Sequence, residues 1–288
     1  ERTRKHPLET ILVVALLAVI CGADGFVGIE RFARAKQDWL ATFLDMSGGI
    51  PSHDTIGRVF AAMDSKMLMQ AFQRWTAVMA TVSQEKFIAI DGKTLRRSFK
   101  QAGDGAFVHM VSAWSSSNGV VLGQVKTDEK SNEVTAIPAL LDLIDVKRAL
   151  VTIDAAGTQT AIAEKTVNKG GDYLLAVKAN QPTLYNAMIE HFEGVGKLYN
   201  KFEFAESVEH GHGRDEIRRA WVSHATEEIA SSERWLGLST FIRIESTRTV
   251  NQQTSIENRY YISSRKALSA KQAQLAVRSH WGIENQLH

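Results

Sequence analysis

The spacing of apolar and polar residues changes character twice along the chain. Residues 7–82 read as helical. An apolar run over 11–21 follows Pro7, whose missing N–H donor suits a helix start. Gly22, Gly25 and Gly28 break that helix, and 29–44 forms a second amphipathic stretch. Gly48-Gly49-Ile50-Pro51-Ser52 is a turn, after which Ser52 or Asp54 can cap a helix over 54–63, with another over 65–82. From Phe87 the period becomes that of strands: 87–91, 106–114 and 119–125, the last two joined by the polar turn Ser115-Ser116-Ser117-Asn118, form an antiparallel meander. Helices at 134–143, 158–168 and 181–192 then alternate with strands at 150–154 and 172–177; Pro138 and Pro182 lie in first turns, where proline is tolerated. The order β-β-β-α-β-α-β-α predicts an α/β fold, a mixed sheet with helices on its faces. Four further strand patterns (202–208, 216–223, 240–249, 255–263) interrupt it before a terminal helix capped by Ser269.

Composition narrows this picture. A hydrophobic content of 44% and 23% charged residues are ordinary globular values, enough for one large core or two modest ones in 288 residues. The single cysteine, Cys21, excludes an intrachain disulfide and points to a reducing, cytoplasmic compartment. Cys21 is expected in the core, because the run containing it is shorter than the ~20 residues a bilayer span needs and no convincing cleavage site follows. The chain is expected to lack its true N-terminus, since it opens on Glu1. The net charge of +2 does not by itself mark a nucleic-acid binder, but basic residues cluster. Lys86, Lys93, Arg96, Arg97 and Lys100 surround Asp91, and Arg259, Arg265, Lys266, Lys271 and Arg278 form a second group; a DNA phosphate track and a solvated face both fit such patches. The N-terminal helices fit either a helix-turn-helix reader or a packing subdomain.

Two apolar runs end in aspartate followed by small residues: Phe87-Ile88-Ala89-Ile90-Asp91-Gly92 and Leu150-Val151-Thr152-Ile153-Asp154-Ala155-Ala156-Gly157. Acids at strand ends lie on the rim where α/β sheets bind ligands. If the two strands pair, Asp91 and Asp154 become neighbours, and Glu284 on the last helix is the candidate third carboxylate. Such an oxygen set suits Mg²⁺ or Mn²⁺, and two ions can activate an attacking hydroxyl and stabilise a leaving oxygen in phosphoryl transfer.

These motifs resemble, in order, those of the DDE transposases of bacterial insertion sequences, in the subgroup with the H-repeat-associated proteins. Gly49-Ile50-Pro51-Ser52-His53-Asp54-Thr55 resembles the N-terminal associated domain; Ala89-Ile90-Asp91-Gly92-Lys93 and Thr152-Ile153-Asp154-Ala155-Ala156-Gly157-Thr158-Gln159 resemble the first two acid motifs. Lys178-Ala179-Asn180-Gln181 resembles the segment after the fifth strand, and His210-Gly211-His212-Gly213-Arg214-Asp215-Glu216-Ile217-Arg218 an irregular form of the motif in the inserted β block. Tyr260-Tyr261-Ile262-Ser263-Ser264 and His280-Trp281-Gly282-Ile283-Glu284-Asn285-Gln286 resemble the closing motifs. The resemblance implies an RNase H-like core split by a β-rich insertion. The divisions expected are an N-terminal helical domain (1–85), the first part of the core (86–195), the insertion (196–265) and a core helix with the third acid (266–288). It also implies Asp91, Asp154 and Glu284 as catalytic metal ligands for two Mg²⁺ or Mn²⁺ ions. The reaction implied is 3′-end hydrolysis and strand transfer on double-stranded DNA at terminal inverted repeats, by a nucleoid-associated homodimer.

Expected DNA contacts are Lys93, Arg96 and Arg97 after the first acid; Lys178, Asn180 and Gln181, for which helix capping is the rival role; His212, Arg214 and Arg218; and Arg278 and His280. The related group carries Tyr and Arg seven and four residues before the glutamate, where this chain has Val277 and His280. The pair His210 and His212 could instead bind zinc, and Trp281 could stack a flipped base, though a packing role fits it as well. The chain stops soon after Glu284, so the alternative expectation is a truncated or domesticated relative that binds DNA without cleaving it.

Overall fold

Nine strands among the described residues hydrogen-bond into one mixed sheet in the computed structural model of this chain, which describes residues 5–80, 86–95, 108–127, 133–193, 202–211, 214–224, 229 and 231–284. The chain divides into two compact units, Glu1–Ala71 and Phe72–His288.

The first unit is helical: α1 (Leu8–Ile20), α2 (Phe26–Ala35), α3 (Gln37–Leu40), α4 (His53–Ala62) and the start of α5 (Ser65–Ala80). Ile11, Val14, Ala15 and Ala18 recur at helical spacing on α1 and bury against Ile29, Ala33, Leu40 and Ile56. The stretch expected as one helix over 29–44 starts earlier, at Phe26, and breaks at Lys36 into α2 and α3. Cys21 is exposed, not core: α1 ends at Ile20 and the chain swings into Gly22 at φ +92°, carrying Cys21 off the buried stripe. Ser52 caps α4 by accepting from the Thr55 N–H, and the His53 N–H donates to Glu30 Oε2 at 2.8 Å, fastening α4 to α2.

The second unit holds the sheet, in the order β3-β2-β1-β4-β5-β9-β8-β7-β6. β1 (Phe87–Leu95), β2 (Val108–Ser115) and β3 (Val120–Thr127) form the antiparallel meander. β4 (Leu150–Ile153) runs parallel to β1, and β5 (Asp172–Val177) parallel to β4. This is the RNase H-like arrangement. Helices cover both faces, which is why the β1 and β4 runs read as continuously apolar. Ile88, Ile90, Val151 and Ile153 point to the face shared with α6 (Glu133–Leu143), α7 (Thr160–Asn168) and α8 (Pro182–Glu193). Phe87 and Leu150 point to the other face, against Ala273, Ala276 and Val277 of α9 (Ala270–Gly282).

Two features differ from the sequence expectation. β1 does not end at Asp91 but continues to Leu95, because β2 keeps pairing with it up to Leu95↔Val108. The later strands, β6 (Glu203–Gly211), β7 (Arg214–Ser223), β8 (Thr240–Val250) and β9 (Gln253–Ser263), break the α/β alternation along the chain as expected, and they add to the same sheet, which the sequence did not predict, since β9 pairs antiparallel with β5 from Leu174↔Ser263 to Val177↔Tyr260. Asn251 and Gln252 both take positive φ in the two-residue β8–β9 hairpin, whose twist then matches the strands it joins.

Candidate active site

Asp91 and Asp154 lie one residue beyond the last parallel pair of β1 and β4, Ile90↔Ile153. Alternation therefore sends both toward the α9 face, in step with Ala89 and Thr152. β4 stops at Ile153, so the rim opens beside Asp91 even though β1 runs on. The loop after β4 is braced at every turn. Asp154 Oδ1 accepts from the Gly157 N–H at 3.2 Å, and the buried Thr158 hydroxyl donates to the Ala176 carbonyl at 2.6 Å on β5. Asn180 donates to the Ala155 carbonyl at 2.6 Å, and Gln181 to the Thr158 carbonyl at 3.0 Å. Position 157 is glycine because a Cβ there would meet Ile153 Cγ2 at 2.4 Å and Ile137 Cδ1 at 2.6 Å, both core side chains with little room to move.

Glu284 arrives at the same rim on the end of α9. Ser269 and Gln272 form a capping box at the start of that helix, and Gln274 donates to the Arg218 carbonyl on β7 at 2.8 Å. Near its end, Ser116 donates to the Ser279 carbonyl at 3.0 Å, His280 Nδ1 and Thr152 Oγ1 share a hydrogen bond of 2.9 Å, and Ile283 is buried against Ala89 and Trp114. The last turn widens to π-helical geometry at Ile283 and Glu284, a form that recurs at functional sites. Glu284 itself is exposed.

Asp91 feels the other two acids. Burial pushes the Asp91 carboxyl up to about 6; the charges of Asp154 and Glu284 add to the rise, while the Gly92 N–H and Lys93 oppose it. Glu133, at the start of α6, is also raised, by burial first and then by Asp154 and Asp91. His280 is lowered by burial, which outweighs the pull of Asp154 and Glu284 and keeps the imidazole neutral near pH 7. Among the described residues, no three His, Cys, Asp or Glu side chains form a ready-made metal cage. The donor set nevertheless fits a hard divalent ion: it is all carboxylate oxygen and crowded with like charge, and Mg²⁺ keeps several waters and takes only one or two carboxylates.

A pH effect follows. The folded chain holds a proton on Asp91 that the unfolded chain has already released between pH about 4 and about 6, so this group makes stability fall as pH rises through that window. The full displacement corresponds to about 3 kcal/mol, and partial exposure brings the expected loss to about 1 kcal/mol. Urea melts without divalent ions should show this loss in the wild type relative to Asp91→Asn between pH 4 and pH 7; equal pH slopes would contradict it.

The other expected contacts divide. Lys93 lies on the Asp91 face of β1, and the exposed Lys178 lines a cleft of about 610 Å³ with Asp154, Tyr261, His280, Trp281 and Glu284; Asp91 stands outside that lining. Asn180 and Gln181 hold the Asp154 loop, and His280 is turned onto β4. Arg218 ion-pairs with Glu216 at 2.6 Å and Glu209 at 3.2 Å, and Arg278 pairs with Glu209. Arg214 pairs through its backbone with Gly211 and Val250, while Arg96, Arg97 and His212 lie outside the described residues. His210 contacts Asp215 at 2.7 Å. The Arg259 guanidinium stacks 4.6 Å over Trp281. Glu133 is the carboxylate that the sequence reading missed; the signal was Gly92, since a glycine inside a strand often marks a close approach.

Comparison with known proteins gives a consistent set of likenesses. The family profile described as "Transposase DDE domain" matches residues 82–288, and the one described as "DDE_Tnp_1-associated" matches residues 1–76. "Putative transposase YncI" of Escherichia coli O157:H7 is 45% identical over 289 residues, spanning 99% of this chain and 74% of that one. "H repeat-associated putative transposase YhhI" of Escherichia coli K12 is 39% identical over 290 residues, with 99% and 76% covered. "Inactive transposase YbfQ" of the same strain is 46% identical over 54 residues, 19% of this chain and 64% of that one. A cryo-EM structure of the piggyBac transposase synaptic complex with hairpin DNA aligns at a TM-score of 0.41 and 10% identity, over 99% of this chain and 60% of that one.

Proposed function

Because this chain belongs to the DDE transposase family, we propose that it cuts double-stranded DNA at the terminal inverted repeats of an insertion sequence and joins the freed 3′ ends to a target. What supports this reading is that Asp91 and Asp154 follow the paired residues Ile90 and Ile153 on neighbouring parallel strands, and that Glu284 lines the same cleft as Asp154.

Asp91, Asp154 and Glu284 would hold two Mg²⁺ or Mn²⁺ ions. Such ions, when bound, activate the attacking oxygen and stabilise the leaving one. In the first step water attacks the scissile phosphorus, the bond to the 3′-oxygen breaks, and a 3′-hydroxyl and a 5′-phosphate result. In the second step that hydroxyl attacks a target phosphodiester: a new bond forms between its oxygen and the target phosphorus, the target's own bond from phosphorus to its 3′-oxygen breaks, and that oxygen leaves as a 3′-hydroxyl with the proton the attacking group gives up. Within the chain, the β1–β4 pairing sets the spacing of the aspartates, the braced Asp154 loop fixes one carboxylate, and the His280–Thr152 bond holds the turn that presents Glu284. Lys93 and Lys178 supply positive charge beside the acids for the phosphate backbone, with Arg96, Arg97, His212 and Arg214 as further contacts. Residues 1–85 would act as an associated helical domain, 86–195 and 266–288 as the catalytic core and 196–265 as its β-rich insertion. Two copies would bring two ends together, in the bacterial cytoplasm at the nucleoid.

A second reading is DNA binding without cleavage. The likeness of 54 residues to a relative named inactive favours it. Incubation with labelled terminal-repeat duplex and Mg²⁺ or Mn²⁺ separates the two. The first predicts metal-dependent nicks bearing 3′-hydroxyls; salt-sensitive binding with no nick selects the second.

A further inference from the structure

Glu133 reaches the acidic rim from the side opposite to Glu284. Along β1, Ile88 and Ile90 bury toward α6, and Gly92 is next on that face. The space that a side chain at 92 would occupy holds the Glu133 side chain instead: a Cβ built on Gly92 would lie 2.0 Å from Glu133 Oε1 and 2.4 Å from its Cδ. Glu133 stands in the first turn of α6, so one rival role is charge complementation of the helix N-terminus. The Gly92 contact instead brings its carboxylate against β1, one residue from Asp91.

We propose that Glu133 is a fourth carboxylate of the divalent-cation site, and that residue 92 is glycine so that Glu133 can reach it over the edge of β1. The inference rests on the metal-dependent reading above. Asp91 and Glu284 approach from the α9 face and Glu133 from the α6 face, so ions at the rim are gripped from both sides of the sheet. A cation held this way is positioned by elements far apart in sequence, and the glycine after the first acid is part of the site.

The test is Mn²⁺ binding to the full 288-residue chain, read by calorimetry and by loss of the free-ion electron paramagnetic resonance signal. Glu133→Gln should weaken Mn²⁺ binding by about tenfold or more, with the melting temperature of the metal-free protein unchanged or higher because a crowded charge has gone. Gly92→Ala keeps the glutamate but pushes its flexible end aside, and should weaken binding in the same direction. Wild-type affinity in Glu133→Gln, alongside loss in Asp154→Asn, would overturn the role of Glu133 and leave the metal-dependent reading standing. Absence of Mn²⁺ binding by the wild type at millimolar concentration would overturn both.

Discussion

Replacing either aspartate with alanine is expected to abolish metal-dependent nicking of terminal-repeat DNA, with a loss of at least about 10³-fold. The size follows from the chemistry: Lewis-acid and nucleophile activation are worth several kcal/mol of transition-state stabilisation, and each 1.36 kcal/mol is tenfold in rate. Asp91 within β1 and Asp154 just after β4 each stand one residue beyond the Ile90↔Ile153 pair of the parallel ladder, so the sheet itself fixes where both carboxylates sit. The companion measurement is stability. Asp91 is partly buried among like charges, so Asp91→Asn should melt at a higher temperature than the wild type in chelator at pH 7.5 while remaining inactive. Together these outcomes separate loss of chemistry from loss of fold. Undiminished nicking by Asp91→Ala or Asp154→Ala would remove these residues from the mechanism.

Arg218→Ala is expected to destabilise the second unit by roughly 3 kcal/mol, a drop in melting temperature of about 10 °C for a unit of this size. The Arg218 side chain is only 11% exposed and faces Glu216, itself 8% exposed, at 2.6 Å. Removing the cation leaves that carboxylate in a low-dielectric setting without its guanidinium, which is far costlier than losing a surface pair. This distinguishes two roles for the arginine. A phosphate-binding residue would lose DNA affinity and salt dependence while melting as the wild type does. Differential scanning fluorimetry beside a low-salt gel-shift assay reads both, and an unchanged melting temperature would refute the structural role.

The case of Arg218 shows where sequence reading stops. Two members of the second basic group looked unopposed because their acids are distant in sequence: Arg265 finds Asp172 at 3.0 Å and Arg278 finds Glu209. Such pairings are set by sheet register, which local composition does not encode. The order of elements from β1 to α8 was legible, because apolar runs bounded by turns and helical periodicity are local signals. That β9 would join β5 was not, since every strand of the later block could as well have formed a sheet of its own. Asp91 and Asp154 were legible as a pair from their shared context, an apolar run followed by an acid and small residues. Glu133 was not, because its position beside Gly92 depends on how α6 lies across β2 and β3, and a glutamate in a first helical turn has an ordinary explanation.

The packing of α9 also sets a clock on synthesis. That helix contributes the third acid, yet it rests on residues from β1, β4, β7 and β8 together: Ala89, Leu150, Ala220 and Ile244 all lie beneath it or beneath its end. At a ribosomal rate of about 5–20 residues per second, the roughly 130 residues separating Asp154 from Glu284 take on the order of ten seconds to emerge. Through that interval the nascent chain carries two aspartates and no third acid. The three proposed ligands therefore cannot meet until α9 has emerged and packed on strands from both ends of the sheet.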